Sequence, residues 1–317
     1  MQAGCNLVIG LGPVGAIVAF RLKAAGERVF AVERNVDTAM AVRKSGILLT
    51  DETGSRTEVL DGVFDTPSDA VASGHFDCVF VCVKANDLPS LRADLGVLGA
   101  SGATVTSLQN GLGIEDLLLS SVGADRFIRG VVNFAGQMEN PGCVRVTFFQ
   151  PPNRLGGLVP AAEGRARAVA ELLTRVGLQS EVPADIGLYV WHKIVHLAIL
   201  APVCAVTRMN MRTVLSHKEL RHLSQGLLSE CIEVGSRLGY DCGNGFFEMS
   251  MRYVLEAGDH PPSMLVDMLR GRPTEVSYIN GKVVEAAARL GVDVPLNRTI
   301  CALVQAMETG RPHSQRP

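Results

Sequence analysis

What this chain lacks narrows it before any motif is read. Its eight cysteines, Cys5, Cys78, Cys82, Cys143, Cys204, Cys231, Cys242 and Cys301, include no CxxC pair. They sit mostly in apolar segments, which predicts reduced thiols and no disulfide frame. No metal site is predicted either, because structural zinc sites gather closely spaced ligand pairs. An excess of one charge is missing too, since 30 Lys and Arg stand against 32 Asp and Glu and leave a formal net charge of -2. That offers no basic field to a nucleic-acid backbone and no acidic tail to a basic partner. The opening residues, MQAGCNLVIGLGPVG, have no basic n-region and meet glycines at once, so they do not read as a secretion signal. The longest apolar run, 194–206, contains His196 and Pro202 and falls short of the ~20 residues that cross a bilayer. A cytoplasmic protein without a membrane partner is expected. Repeats and low-complexity tracts are absent, and only the terminal RPHSQRP has the composition of a disordered end.

What is there is a large apolar fraction, 47% of 317 residues, enough for one large or two ordinary domains. Over residues 1–182 short apolar runs alternate with helical patterns: NLVIG, AIVAFRLKAAG, RVFAVE, then FDCVFVCV and ATVTSL. Strands that read as continuous Val, Ile and Phe runs are buried on both faces, as in a parallel sheet flanked by helices. Further strands are expected at 126–135, 144–150 and 154–160, with antiparallel pairing open to them, before a helix at 162–176. From 183 to 317 helical periods dominate, at 188–201, 217–239, 245–257, 263–270, 274–290 and 297–308. The fold class expected is an α/β Rossmann-type domain followed by an all-α domain.

Gly10, Gly12 and Gly15 form GLGPVG between the strand NLVI and the helix that follows. In that setting the first glycine permits the tight turn, the second lets a pyrophosphate approach the backbone, and the third lets helix and strand pack closely. Glu33 closes the next strand, where an acid would accept hydrogen bonds from an adenosine ribose and repel a 2′-phosphate, favouring NAD. Arg34 follows at once, and a guanidinium suits that same phosphate, favouring NADP.

The motifs GLGPVG, VCVKAND (81–87), SLQNGLG (107–113), WHK (191–193) and PSMLVDMLRGRPTEVSYING (262–281) occur in the order and near the spacing of the ketopantoate reductase family, which the chain resembles over nearly its whole length. The resemblance implies a Rossmann domain and a helical domain like that of 6-phosphogluconate dehydrogenase, with a 2-oxo acid reduced by NADPH. It implies that Lys193 is the general acid, Ser263 a ligand of the substrate carboxylate and Glu275 an acid near lysine and substrate. Asn110 matches the cleft asparagine, Lys84 a lysine on the cofactor side and Arg34 the contact to the NADP phosphate. Glu33 is not what the family usually carries beside that arginine, so NAD and NADP both stay open.

The chemistry agrees with those roles. Hydride arriving at a ketone carbon leaves negative charge growing on oxygen, and a positioned ammonium both stabilises it and donates a proton, worth roughly 10²- to 10⁴-fold. A lysine beside an apolar wall needs relief from burial, and a carboxylate such as Glu275 is expected to supply it. Each residue alone also has an ordinary explanation: a snorkelling lysine, a serine N-cap, a first-turn acid.

In one helix over 188–201, Lys193, Leu197 and Ala201 share a face with His196 at its edge. Family members that reduce ketopantoate typically carry asparagines four and eight residues after the lysine, where this chain has Leu197 and Ala201. The expected substrate is therefore a 2-oxo acid with an apolar side chain, or one whose polar group meets His196. Reduction of ketopantoate itself stays open, as does a non-catalytic sensor of the NAD(P) pool. Gly281 inside the helix expected at 274–290 suggests close helix approach, within one chain or between the two chains of a homodimer.

Overall fold

The structure, a computed structural model, describes residues 4–240, 242–256 and 261–310. The terminal RPHSQRP lies outside them. The chain divides into two compact units, one of residues up to Gln109 with Ile114–Ile186, the other of Asn110–Gly113 with the residues from Gly187 on. The division thus falls at 186/187, four residues beyond the sequence boundary, and a short piece of the SLQNGLG loop counts with the helical unit.

The strands of the first unit are β1 (Cys5–Ile9), β2 (Arg28–Val32), β3 (Ile47–Asp51), β4 (Gly54–Glu58), β5 (Gly62–Phe64), β6 (Cys78–Val81), β7 (Thr104–Ser107), β8 (Phe127–Val131), β9 (Phe134–Asn140), β10 (Cys143–Phe149), β11 (Asn153–Gly157) and β12 (Ser180–Glu181). Eight of them make one sheet in the order β12-β11-β8-β7-β6-β1-β2-β5. The six from β8 to β5 run parallel. From β1 the chain winds out to β2 and β5, then returns to the other side of β1 as β6. Such a reversal opens a crevice at the carboxyl ends of the two inner strands, where doubly wound sheets bind ligands. β11 joins β8 antiparallel, as the pattern at 126–135 and 154–160 allowed. The run at 144–150 instead enters a second sheet, β4-β3-β10-β9.

The helices of this unit are α1 (Pro13–Ala24), α2 (Val36–Ser45), α3 (Pro67–Ser73), α4 (Leu88–Ala100), α5 (Ile114–Val122) and α6 (Glu163–Arg175). α1 lies between the two sheets, touching β1 and β2 on one side and β3, β9 and β10 on the other. Its residues from Gly15 to Phe20 are all buried, so it is apolar all round, not along one stripe.

The second unit consists of α7 (Ile186–Ala198), α8 (Ala201–Thr207), α9 (Met211–Ser216), α10 (Lys218–Arg237), α11 (Phe246–Glu256), α12 (Ser263–Leu269), α13 (Asn280–Leu290) and α14 (Pro295–Thr309). Trp191 of α7 is its largest core side chain, fully buried and stacked on Tyr240 at 5.8 Å. It packs so closely on α10 that a Cβ at Gly235 would stand 2.2 Å from the indole nitrogen. Ile186–Thr207 is long and apolar enough to span a bilayer, yet its most apolar window is 67% buried inside the protein, which makes it core.

Two expected helices are interrupted, each for a local reason. The stretch expected as 188–201 breaks after Ala198 because Pro202 has no N–H to return to the Ala198 carbonyl. Asn280 fills the gap, donating from Nδ2 to that carbonyl at 3.0 Å and to Asn297 Oδ1 at 3.0 Å. The stretch expected as 274–290 begins with a 3-10 turn, Val276–Tyr278, and turns at Ile279 (φ -105°, ψ -93°) before α13 starts. At Gly281 a Cβ would meet nothing nearer than 3.5 Å, so the tight helix approach expected there belongs instead to Gly235.

Candidate active site

In the first unit the glycine turn bridges β1 and α1. Gly10 has φ +92°, and a Cβ there would sit 2.9 Å from Val83 of the segment after β6. At Gly15 a Cβ would fall 1.9 Å from the Gly10 carbonyl oxygen, so no side chain fits. At Gly12, the N-cap of α1, a Cβ would meet nothing within 4 Å beyond its own chain neighbours. A closed first position, an open second and a closed third are what a pyrophosphate seated on a helix N-terminus requires. The residues fit a dinucleotide.

Glu33 and Arg34, just past β2, are separated by function. Glu33 is buried, and its two carboxylate oxygens accept from the Leu11 and Asn35 amides, each at 2.7 Å. It ties the glycine turn to the end of β2, so both oxygens already hold backbone. Arg34 is 74% exposed and forms a two-toothed ion pair with Asp87, at 2.9 and 3.0 Å. Lys84 lies three residues beyond β6, at the start of the 3-10 turn Ala85–Asp87 that carries Asp87. Asp87 stood in the VKAND motif, and its pairing with Arg34 across 53 residues had no sequence signal.

The loop leading to Asn110 is pinned by a buried arginine. Arg129 of β8 is 2% exposed and pairs with Glu115 at 2.8 Å while its Nη1 donates to the Gln109 carbonyl at 2.8 Å. Gln109 in turn donates from Nε2 to the Val81 carbonyl at 2.8 Å. Just beyond, the Leu112 amide donates to the Tyr278 carbonyl at 2.9 Å.

In the second unit a small pocket is lined by Asn110, Leu197, Ala201, Ser263, Met264, Asp267, Glu275 and Ile279. Five of these eight were singled out in the sequence, although they come from four separate segments. Ser263 opens α12, whose N-cap is Pro262 with no side-chain cap, so the serine hydroxyl is not used to end the helix. Glu275 is 6% exposed and precedes the 3-10 turn, not the first turn of an α-helix. Met264, Asp267 and Ile279 were not foreseen. The spacing of four from Ser263 to Asp267, and again from Glu275 to Ile279, was the available hint. Asp267 is 3% exposed and faces Arg272 at 3.4 Å.

Lys193 precedes Leu197 by one turn on the same face of α7 but is not itself among the residues that line the pocket. Burial pulls its ammonium from the ordinary 10.5 down to about 8. The relief expected from Glu275 is absent: among the described residues Lys193 has no ion pair, and burial alone accounts for its shift. His196 is not part of the pocket lining. It stacks on Tyr253 at 4.3 Å and shares a hydrogen bond with Ser250 at 3.1 Å, the geometry of a packing histidine. Burial first, then the charges of Lys193 and His192, push its imidazole down to about 3, so it is neutral at physiological pH.

Two sequence profiles match the chain, "Ketopantoate reductase PanE/ApbA" over residues 6–156 and "Ketopantoate reductase PanE/ApbA C terminal" over residues 185–308. The 2-dehydropantoate 2-reductase of Archaeoglobus fulgidus is 29% identical over 304 residues, covering 96% of this chain and 97% of its own. That of Streptococcus pyogenes serotype M1 is 24% identical over 307 residues, with 95% and 97% covered. Among solved structures, D-mandelate dehydrogenase with NADH and anilino(oxo)acetate superposes with a TM-score of 0.88 at 21% identity, covering 96% of this chain and 98% of that one. A PanE/ApbA family ketopantoate reductase from Ralstonia eutropha gives 0.84 at 23% identity, with 96% and 99% covered.

Proposed function

The chain belongs to the ketopantoate reductase family, and from that premise we propose that it is an NAD(P)H-dependent reductase that converts a 2-oxo acid with an apolar side chain into its 2-hydroxy acid. The observation that carries this reading is the gathering of Asn110, Leu197, Ala201, Ser263 and Glu275 around one pocket. The NADH named with the D-mandelate dehydrogenase neighbour supports a nicotinamide dinucleotide, and the glycine turn has the room for one.

When bound, the nicotinamide supplies the hydride. The chain's own residues do the rest. Gly10, Gly12 and Gly15 leave the α1 N-terminus clear for the pyrophosphate. The Ser263 hydroxyl, uncommitted to its helix, donates to the substrate carboxylate, and the Asn110 amide orients the reacting end. Lys193 gives its proton to the carbonyl oxygen as negative charge grows there. An ammonium that titrates near 8 is a better donor than an ordinary lysine and is still protonated at neutral pH. Glu275 adds a buried carboxylate to the pocket that Leu197 of α7 and Ala201 of α8 also line.

The specificity reading rests on the pocket wall. Leu197, Ala201, Met264 and Ile279 make four of its eight lining residues apolar. None offers a hydrogen bond to a substrate hydroxyl, and each such bond is worth roughly tenfold in discrimination. The 2-dehydropantoate 2-reductases among the relatives and the D-mandelate dehydrogenase among the neighbours mark the two poles of the choice. A cytoplasmic setting and a homodimer complete the proposal, the latter supported by the likeness to the dimeric ketopantoate reductase from Staphylococcus aureus (TM-score 0.78, 20% identity, 96% of this chain and 99% of that one).

The test is a set of initial rates with NADH and NADPH against ketopantoate and 2-oxo acids bearing aliphatic, aromatic and acidic side chains. We expect an aliphatic or aromatic acid to lead in kcat/KM, and Leu197→Asn with Ala201→Asn to move the preference toward ketopantoate. Turnover led by ketopantoate in the unmodified chain overturns the specificity reading. Absence of turnover with every acid overturns the reductase and leaves a dinucleotide sensor.

A further inference from the structure

The acid that dinucleotide folds place after the second strand to read the adenosine ribose holds backbone amides here. Glu33 gives one carboxylate oxygen to the Leu11 amide and the other to the Asn35 amide, both at 2.7 Å, and stands 9% exposed. The charged group left at the end of β2 is Arg34, and its guanidinium faces the Asp87 carboxylate in a fork of two bonds, at 2.9 and 3.0 Å. β2 and β6 flank β1 on opposite sides, so this pair runs across the mouth of the crevice in front of the glycine turn. Asp87 itself begins α4 without a side-chain cap, so its carboxylate is not needed to start that helix.

We propose that Asp87 sets the cofactor preference of this chain: it holds Arg34 so that the 2′-hydroxyl of NADH is tolerated while the 2′-phosphate of NADPH meets a guanidinium already committed to a carboxylate. A 2′-phosphate is the group a free, exposed arginine at this position would grip in a fork of the same kind. To reach it here the phosphate must displace Asp87 or accept that carboxylate's repulsion at close range. NADH brings no charge to the spot and pays neither penalty. The arginine thus reads as an NADP determinant in sequence, and its partner on the far strand cancels much of that meaning. This inference rests on the dinucleotide-binding reading of the β1–α1 turn.

Calorimetric titration of the full chain with NADH and with NADPH separates the two. The proteins compared are the unmodified chain, Asp87→Asn, Asp87→Ser, Arg34→Ala and the double variant Arg34→Ala with Asp87→Asn. We expect the Kd ratio of NADPH to NADH to fall about three- to fivefold in either Asp87 variant, and the fall to shrink as salt shortens the screening length. It should vanish when Arg34 is also removed. A ratio that stays within about twofold of the unmodified chain in both Asp87 variants, against the size an exposed charge pair can have, overturns the inference. So does a shift that survives without Arg34. Loss of NADH binding in both Asp87 variants overturns it as well, because Asp87 would then hold the site together and not choose between cofactors. If the unmodified chain binds neither dinucleotide, the reading of the glycine turn itself fails.

Discussion

Replacing Lys193 with methionine should disable the reaction and stabilise the fold at the same time. An ammonium that titrates at about 8 in place of 10.5 is disfavoured in the folded protein by roughly 3 kcal/mol relative to water. Lys193 is only half-buried, and solvent screening reduces what a neutral side chain would recover to about 1–3 kcal/mol at pH 7. The sign against pH is fixed by linkage. Between about 8 and 10.5 the unfolded lysine keeps its proton while the folded one has released it, so the stability of the unmodified protein rises with pH across that window. The advantage of Lys193→Met should therefore be full below about 8 and fade toward 10.5. Urea unfolding of both proteins at a series of pH values reads this directly as the difference in midpoint at constant m. Over the same pair, kcat/KM for reduction should drop roughly 10²- to 10⁴-fold. A variant that is less stable at pH 7, with a gap that does not change with pH, would refute the reasoning, since Lys193 would then be held by a favourable contact and not tolerated for its chemistry.

For the unmodified protein, kcat/KM for reduction should be level below about 8 and fall tenfold per pH unit above it, while oxidation of the 2-hydroxy acid rises toward that same pH; profiles flat to pH 10 would remove Lys193 from proton transfer. Gly12→Ala and Gly15→Ala should part company. The first has open space, so it should keep the wild-type Tm and weaken NADH binding, whereas the second puts a Cβ 1.9 Å from the Gly10 oxygen and should cost about 2–4 kcal/mol of stability as well. Asn280→Leu strands the Ala198 carbonyl and Asn297 in the core, and should lower stability by about 2–4 kcal/mol in urea titration; an unchanged midpoint would mean that the break between α7 and α8 needs no such partner.

Much of the fold was legible because it is written in local pattern. Continuous apolar runs between turn residues announced the parallel strands, the helical periods of the second half announced its helices, and GLGPVG stood between a strand and a helix where its glycines had work to do. Lys193, Ser263 and Glu275 stand out in the sequence only as a set at family spacing, since each taken alone has an ordinary role, and of the three the pocket takes in Ser263 and Glu275. What sequence could not show is what depends on partners far along the chain. That Pro202 ends a helix at Ala198 is local chemistry, but that Asn280 repairs the end is a contact over 82 residues. Glu33 was read by position as a ribose acid, and the folded turn spends both of its oxygens on backbone amides. His196 looked like a pocket residue by helical angle until Tyr253 and Ser250 claimed it. Residue type and spacing by themselves determined the fold class and the chemistry that could be present, because backbone propensity and hydrophobic period act over a few residues. Which side chains face the pocket, which charge is paired and which is left near pH 8 was decided only by tertiary structure, because burial and pairing depend on atoms that the chain brings together from a distance.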